Sequence, residues 1–505
     1  MKTIVLGPPG TGKTTTLLNK VDEYLKKTDP DKVGYFAFTK KAANEAKDRA
    51  IKKFNLTEDD LPYFRTLHSL GFRKLGYKKE DVMQPSHYRD LGKKLGFPVN
   101  YAKYEENYGG LFTSDSEYLR IINLAKLRNI TPEQQYDLGE HNQDLERDKL
   151  IIIANEIKRY KKEHVLKDYN DMILEFIKSD KSPKFDVVFI DEAQDLSLMQ
   201  WDMAKSIWNK TEDSFIAGDD DQAIFRWAGA DVDSFIAQKG LMLPLPQSHR
   251  IPAKVHNIAM NIINRVKNRI DKTWKPKTHE GSLSRYYDFE HIEMSSGEWL
   301  VLARTKYMLN ELEDILYRKG LYYKNKFKRT KEEGLHIAVV DWERLRKGQS
   351  LNYAQLERIY GYMTDSHTDK LKLKSMTKES LYDLAVLKKD YGLKTDKVWF
   401  EAFDDASNRD KSYLRKMRKN GEKLSEPPRI TLSTIHGAKG GEAQNVVLLT
   451  DLSHNTVKAY EKNPDDENRL FYVGATRTKE HLHIIEPKQK YKGFEILAIK
   501  YIKNR

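Results

Sequence analysis

The sequence predicts an α/β protein with two parallel-sheet cores, each interrupted by a mainly helical insertion. Three observations predict it. Short apolar runs alternate with helical stretches at the start of the chain (2–76), in its middle and at its end, the pattern of a parallel sheet covered by helices. The alternation stops over 77–162, where charged helical patterns such as RDKLIIIANEIKRYKKEH dominate. It stops again over 327–427, a polar, Tyr-rich stretch closed by Pro427-Pro428. The expected organisation is a first core from 1–76 and 163–248 with 77–162 inserted, and a second from 249–326 and 428–505 with 327–427 inserted.

The elements follow in order. TIVLG is a strand that runs into a Gly-rich turn, and 13–26 is helical. VGYFAF (33–38) is a second strand, and 39–53 is a helix with Ala42, Ala43, Ala46 and Ala50 on its packing side, at helical spacing. FDVVFID (185–191) and SFIAGD (214–219) are strands. A helix at about 253–268, a strand EWLVLAR (298–304) and a helix at 306–319 come next. RITLSTIHG (429–437), NVVLLTD (445–451), a helix around 466–478 and HLHIIE (481–486) complete the second core. HLHIIE, PKQKYKG and FEIL are expected to form a β-hairpin with Tyr491 at its tip.

Composition bounds the function. Of 505 residues, 39% are hydrophobic and 32% charged, enough apolar material for sizeable cores. Lys+Arg total 88 against 75 Asp+Glu, a net +13 that favours polyanion partners. Cysteine is absent, which excludes a disulfide framework, a thiolate metal site and a Cys nucleophile. No apolar run approaches the length of a membrane span. The N-terminus MKTIVLGPPG reads as a strand and not as a signal peptide. The expectation is a soluble, cytoplasmic protein.

Gly7-Pro-Pro-Gly10-Thr11-Gly12-Lys13-Thr14 matches G-x-x-x-x-G-K-[ST], with a strand before it and a helix after. Glycines let backbone N–H groups curl around phosphate oxygens, and the helix N-terminus adds positive potential. Lys13 is expected at the β- and γ-phosphates and Thr14 on Mg²⁺. The strand Val187–Ile190 ends in Asp191-Glu192-Ala-Gln-Asp195. An acid at that end of a parallel strand lies over the phosphate crevice. Asp191 can therefore hold the Mg²⁺ shell, and Glu192 can polarise an attacking water. FIAGD leads into Asp219-Asp-Asp-Gln222 and then Phe225 and Trp227. Gln222 is a neutral donor where a γ-phosphate could be sensed, and the rings suit base stacking as well as ordinary core packing.

At this point the sequence resembles the UvrD/Rep/PcrA-like superfamily 1 DNA helicases. GPPGTGKT looks like motif I, AFTKKAANEAKDR (37–49) motif Ia and FRTLHSLG (64–71) motif Ib. LKDYNDMI (166–173) is similar to the family segment leading back from the first insertion. IDEAQD resembles motif II, AGDDDQAIFRWAGAD (217–231) motif III and LPQSHRIP (245–252) the arginine-bearing segment after it. WLVLARTKYMLNELEDIL (299–316) resembles motif IV, TLSTIHGAKGGEAQNVVLLTD (431–451) motif V and ENRLFYVGATRTKEHLHI (467–484) motif VI.

The resemblance implies two RecA-like cores with ATP in the cleft between them. It places Gly7, Gly10, Thr11, Gly12, Lys13, Thr14 and Thr15 around the nucleotide, with Glu442 near the ribose. Arg250 and Arg477 match the family's two arginines, which reach the γ-phosphate from the second core, where an arginine stabilises charge in phosphoryl transfer. Phe38, Phe225 and Trp227 match aromatics that stack against bases; Thr39, His68, Arg304, Thr434 and His436 match strand-contacting positions. A hairpin carrying Tyr491 would act as the strand-separating pin. The implied function is ATP-driven 3′-to-5′ movement along single-stranded DNA by a monomer, with unwinding at single-strand/duplex junctions. Three departures bear on base choice and unwinding. The chain starts at the motif I strand, without a preceding adenine-reading Gln segment. Thr15 stands where relatives often carry Arg, and His249 where Tyr commonly precedes the arginine, so that a stacked adenine would use His249. The second insertion is short for the family. The alternatives are a 5′-to-3′ helicase of the RecD/Dda type, a nucleotide-dependent DNA-binding regulator that does not travel, and a small-substrate P-loop kinase; RNA stays open as a track.

Overall fold

A computed structural model describes residues 1–105, 111–141, 144–328, 331–423 and 426–496. The chain forms two compact units, Met1–His279 with Asn463–Val473, and Glu280–Lys462 with Gly474–Arg505.

Among its described residues, unit 1 has the strands β1 (Lys2–Leu6), β2 (Val33–Ala37), β3 (Phe64–Arg65), β4 (Ala102–Glu105), β5 (Leu111–Ser114), β6 (Val187–Asp191), β7 (Asp213–Gly218) and β8 (Leu241–Pro244). Six form one parallel sheet in the order β3-β2-β6-β7-β1-β8. The period of two along these strands sends alternate residues into two different cores. Val5, Tyr35, Phe189 and Phe215 pack on one face with Leu17, Val21, Ala43, Ala46 and Ala50. Ile4, Leu6, Phe36, Ile190 and Ile216 pack on the other with Phe176, Met199, Trp201 and Phe235. Ala42 is only partly buried beside the first of these cores. Each fully buried large apolar side chain contributes about 1.5–3 kcal/mol, so both faces must be covered, and helices on each side do so.

The first insertion is mainly helical, as expected, with one short antiparallel pair that the sequence reading does not include. Its helices Pro85–Leu95, Glu117–Leu127, Pro132–Asp137 and Arg147–Glu163 are joined by an antiparallel pair, β4 with β5. The pair is held by Tyr104 against Phe112 at 4.9 Å and Tyr88 against Phe112 at 5.5 Å. Two four-residue strands with one aromatic each lack the apolar run that marks a strand in sequence.

Unit 1 also extends past the expected boundary at 248. Residues 249–279 belong to it, because Ile251, Val255, Ile258, Ile262 and Trp274 are buried and Lys272 reaches three carboxylates after β7.

Unit 2 carries β9 (Ser282–Tyr286), β10 (Trp299–Ala303), β11 (Tyr323–Asn325), β12 (Leu351–Asn352), β13 (Leu381–Tyr382), β14 (Ile430–Thr434), β15 (Ala443–Leu449) and β16 (Thr478–Ile485). Its six-stranded sheet is again parallel, in the order β11-β14-β10-β15-β16-β9. The second insertion is mainly helical, with the short antiparallel pair β12–β13, and shares its core with the six-stranded sheet: Trp342, Tyr360, Trp399 and Leu414 join Val301, Leu432 and Val447 in one cluster.

The expected hairpin after HLHIIE does not form among the described residues. β16 is paired on both edges, to β15 and β9, so no edge is left for a returning strand. Phe494 instead donates its N–H to Thr450 O, and Lys490–Lys492 is a 3₁₀ turn. Leu497 of FEIL lies outside the described residues. Among the described residues no helix is long and apolar enough to cross a membrane.

Candidate nucleotide site and nucleic-acid face

The phosphate loop connects β1 to the helix Lys13–Leu25. Gly7 N–H donates to Gly218 O on β7 at 3.1 Å, anchoring the start of the loop. Gly10 and Gly12 have φ of +72° and +83°, a left-handed conformation that side chains disfavour. Gly10 is also crowded: a Cβ there would stand 2.4 Å from Arg250 Cβ and 2.8 Å from Ser248 Oγ. The 248–250 segment closes over the loop, with Ser248 Oγ donating to Pro9 O at 2.7 Å and His249 N–H to Gly10 O at 2.9 Å. Lys13 folds back so that Nζ donates to Gly7 O at 2.9 Å and stands 3.7 Å from Glu192 Oε1.

The two expected acids meet the loop. Thr14 Oγ1 donates to Asp191 Oδ2 at 3.0 Å, and the buried Tyr35 hydroxyl donates to the same oxygen at 2.9 Å. Burial pushes the Asp191 carboxyl up, with Glu192 adding to it, while Lys13 opposes them. Burial, then Asp191, drives the Tyr35 hydroxyl well above its ordinary value. Glu192 has φ +55°, and such a conformation in a non-Gly residue clusters at functional sites. Gln194 Nε2 donates to Glu192 Oε2 at 2.7 Å.

After β7 the chain places Asp219, Asp220 and Asp221 together, all fully buried. Lys272 Nζ lies 3.2, 2.6 and 2.9 Å from them in that order. Arg269 grips Asp221 through Nε at 2.8 Å and Nη2 at 2.6 Å. Arg469 Nε donates to Asp220 O at 2.9 Å. Gln222 Nε2 donates to Asp219 Oδ2 at 2.7 Å.

The rings that follow are sorted by exposure. Trp227 is 50% exposed, whereas Phe225 is 5% exposed and stacks on Phe38 at 5.8 Å and 27°. Thr39 Oγ1 caps the helix Lys40–Phe54 by accepting from Ala42 N–H. His68 is buried against Tyr169, and burial pulls its imidazole down to about 4. It is a neutral core side chain in this conformation. Thr15 and His249 are exposed beside the loop.

Arg250 lies in unit 1, against Gly10, and not in the second core as expected. Its neighbours Ser248 and His249 are bonded into the phosphate loop, which fixes that assignment. In unit 2, β10 and β14 are neighbours with Ala303 opposite Thr434, so Arg304, Thr434 and His436 gather at the C-terminal ends of two adjacent strands. Thr434 Oγ1 accepts from Gly437 N–H at 3.1 Å. Arg477 is 2% exposed, with Nη1 donating to Gly441 O at 3.3 Å, and Glu442 pairs with Lys479 at 3.0 Å. Tyr491 is 73% exposed on its 3₁₀ turn.

Sequence reasoning missed Tyr35, Gln194, Ser248, Arg269, Lys272 and Arg469. Three of them stand inside motif-like segments quoted for other residues: Gln194 in IDEAQD, Ser248 in LPQSHRIP and Arg469 in ENRLFYVGATR. Lys272 and Arg269 carry no local signal, since only the fold brings them to the Asp triplet.

A glycine loop with its lysine and threonine at the C-terminal end of a parallel sheet, facing a strand-end Asp-Glu pair, defines a P-loop nucleoside triphosphatase. Two family models extend this. The UvrD/REP helicase N-terminal domain matches residues 1–241, and the UvrD-like helicase C-terminal domain matches residues 322–489. The chain belongs to the UvrD/Rep/PcrA-like family of ATP-dependent DNA helicases. It is 23% identical over 609 residues to ATP-dependent DNA helicase PcrA of Bacillus subtilis, covering 96% of this chain and 81% of that protein. It is 22% identical over 624 residues to the probable DNA helicase II homolog of Rickettsia conorii, covering 98% and 91%. Against ATP-dependent DNA helicase Rep of Buchnera aphidicola (subsp. Schizaphis graminum), identity is 22% over 367 residues. That match takes in 63% of this chain and about half, 53%, of the relative.

Proposed function

We propose that this protein hydrolyses ATP at the phosphate loop and uses the cycle to move 3′ to 5′ along single-stranded DNA, unwinding duplex at junctions. The observation that carries the reading is the joining of the triphosphate site to an exposed ring. Glu192, Gln194, Asp219 and Gln222 are linked by hydrogen bonds, and Trp227 stands exposed five residues beyond Gln222.

The loop N–H groups and Lys13 hold the β- and γ-phosphates, as charge and geometry favour. Glu192 orients and deprotonates the attacking water. Gln222 senses the γ-phosphate. Arg250, packed on the loop at Gly10, neutralises charge that builds in the transition state. Arg477 takes the second arginine role by its motif position. Mg²⁺ fits the residues present: Thr14 Oγ1 and Asp191 Oδ2 lie 3.0 Å apart, and Asp191 is a buried carboxylate whose ionised form needs a cation. When bound, the ion would neutralise phosphate charge. By their motif positions, His249 stacks on the base and Glu442 meets the ribose.

Trp227 stacks on bases, which tolerates any sequence. Phe38 and Phe225 brace one another behind the strand. Thr39, Arg304, Thr434 and His436 contact the strand's backbone, which positions it without reading sequence. The test is ATP turnover with and without oligo-dT, followed by unwinding of duplexes carrying a 3′ or a 5′ single-stranded tail. Turnover that rises with DNA and unwinding only from the 3′ tail support the proposal. Unwinding only from the 5′ tail assigns the opposite polarity. DNA-stimulated turnover without unwinding leaves a translocase alone, and turnover indifferent to DNA overturns the motor.

A further inference from the structure

Gln194 stands between Glu192 and the β7 end, and it is fully buried. Its amide is engaged at both ends. Nε2 donates to Glu192 Oε2 at 2.7 Å and reaches Asp195 Oδ2 at 3.4 Å; Oε1 accepts from the Asp219 N–H at 3.0 Å. Carboxylates accept and a backbone N–H donates, so these partners fix which end is which. The neighbouring strand leaves room for it: a Cβ on Gly218 would stand 2.7 Å from Gln194 Oε1 and 2.6 Å from the Phe235 ring. Asp219 in turn accepts from Gln222 Nε2 and pairs with Lys272. An unbroken line of polar contacts therefore runs from Glu192 to the head of the segment that carries Gln222 and Trp227.

We infer that Gln194 is a positioning residue for hydrolysis, aiming the Glu192 carboxylate and tying it to the 219–231 segment. The inference rests on the ATP-hydrolysing, DNA-stimulated reading above. A carboxylate on a left-handed backbone has free side-chain rotations unless something holds it, and a buried amide donor holds it strongly in low dielectric. A strand docked at Trp227 bears on the same segment. A shift of the Asp219 N–H acts on Oε1 and, through the rigid amide plane, on the donor that aims Glu192. DNA occupancy thus reaches the hydrolytic base through one side chain.

Two substitutions separate the roles. Gln194→Met keeps length and removes both polar contacts. Gln194→Glu keeps an acceptor for Asp219 N–H but turns an oxygen toward Glu192 and Asp195. The full chain, both variants, Glu192→Gln and the Glu192→Gln/Gln194→Met double variant are assayed for ATP turnover across ATP concentration, with and without oligo-dT. Fluorescent-nucleotide binding and a thermal midpoint accompany each. Both single variants are expected to lose roughly 10- to 100-fold in kcat, as when a group orienting a reactive ligand is removed, with KM for ATP little changed. Gln194→Met is also expected to lose most of the DNA stimulation. The double variant should be no slower than Glu192→Gln alone, because Gln194 acts through Glu192. Folded variants with parental kcat overturn the inference, as does a loss that adds in full to that of Glu192→Gln. A parent without DNA-stimulated turnover overturns the functional reading itself; an active parent with unchanged variants overturns only the role of Gln194.

Discussion

Replacing Lys272 by Met should destabilise unit 1 more than most single changes in this chain. Asp219, Asp220 and Asp221 are fully buried, and Lys272 lies within 3.2 Å of all three. With Arg269 on Asp221, the cluster holds three negative and two positive charges. Removing Lys272 leaves three carboxylates on one arginine. Breaking a buried pair from one side costs about 3–5 kcal/mol, which corresponds to a fall of roughly 10 °C in the unfolding midpoint of a unit this size. The pH dependence has a definite sign. Burial alone would raise the Asp221 carboxyl, but Arg269 and Lys272 hold it below its ordinary range. Its contribution is therefore present above the usual carboxylate pKa and lost as pH falls through the folded value. Burial pushes Asp220 up, and Lys272 only partly offsets this, so Asp220 opposes folding at neutral pH and is relieved in acid. Without Lys272 both carboxyls move up, and the deficit against the parent should narrow as pH drops from 7 toward 5. Calorimetry of the full chain at both pH values reads this directly. Adding Asp220→Asn, which keeps an acceptor for Ile270 N–H, should recover part of the loss. A Lys272→Met deficit below about 1 kcal/mol at pH 7, or one that widens in acid, would refute the reasoning.

Three further outcomes are expected. Gly10→Ala forces a Cβ against Arg250 and Ser248 at positive φ, so nucleotide binding should fall at least tenfold while unit 2 melts as in the parent; normal nucleotide affinity would contradict this. Trp227→Ala should weaken oligo-dT binding by about 1–3 kcal/mol, the worth of one stacked base, with the folded chain retained, since half of the ring is exposed; fluorescence anisotropy checks it. His68 has a folded value of about 4 against an ordinary 6.5, so protonation favours the unfolded chain. Stability should fall as pH drops from about 6.5 toward 4 and then level off, and His68→Leu should flatten that slope in acid melts.

Much of the first core was legible because its signals are local. The glycine loop, the apolar strand before Asp191 and the helical alanines each declare themselves within a few residues, and each lands within a residue or two of its expected bounds. The strands β3, β8, β9 and β11 were not legible. They are short edge or near-edge strands whose pairing is set by the sheet and not by their own pattern. The grouping of 249–279 with unit 1 has no local signal for a related reason: Lys272 meets an Asp triplet about fifty residues earlier in the chain. In the site, Lys13, Thr14, Asp191 and Glu192 come together because two strand ends of the parallel sheet meet at one crevice, a placement that strand-end motifs make legible. The burial of His68 and Phe225 was not legible, because a motif position states a residue type and not the side chains packed against it.

In the proposed cycle Lys13 and its loop feed a triphosphate to Glu192, and DNA speeds the reaction. Steady-state ATP hydrolysis by the parent and by Lys13→Ala, each with and without saturating oligo-dT, tests it most directly. The parent should turn over ATP much faster with DNA, and Lys13→Ala should lose roughly 100- to 1000-fold or more in both conditions. Equal rates with and without DNA, or a Lys13→Ala protein that hydrolyses ATP like the parent, would contradict it.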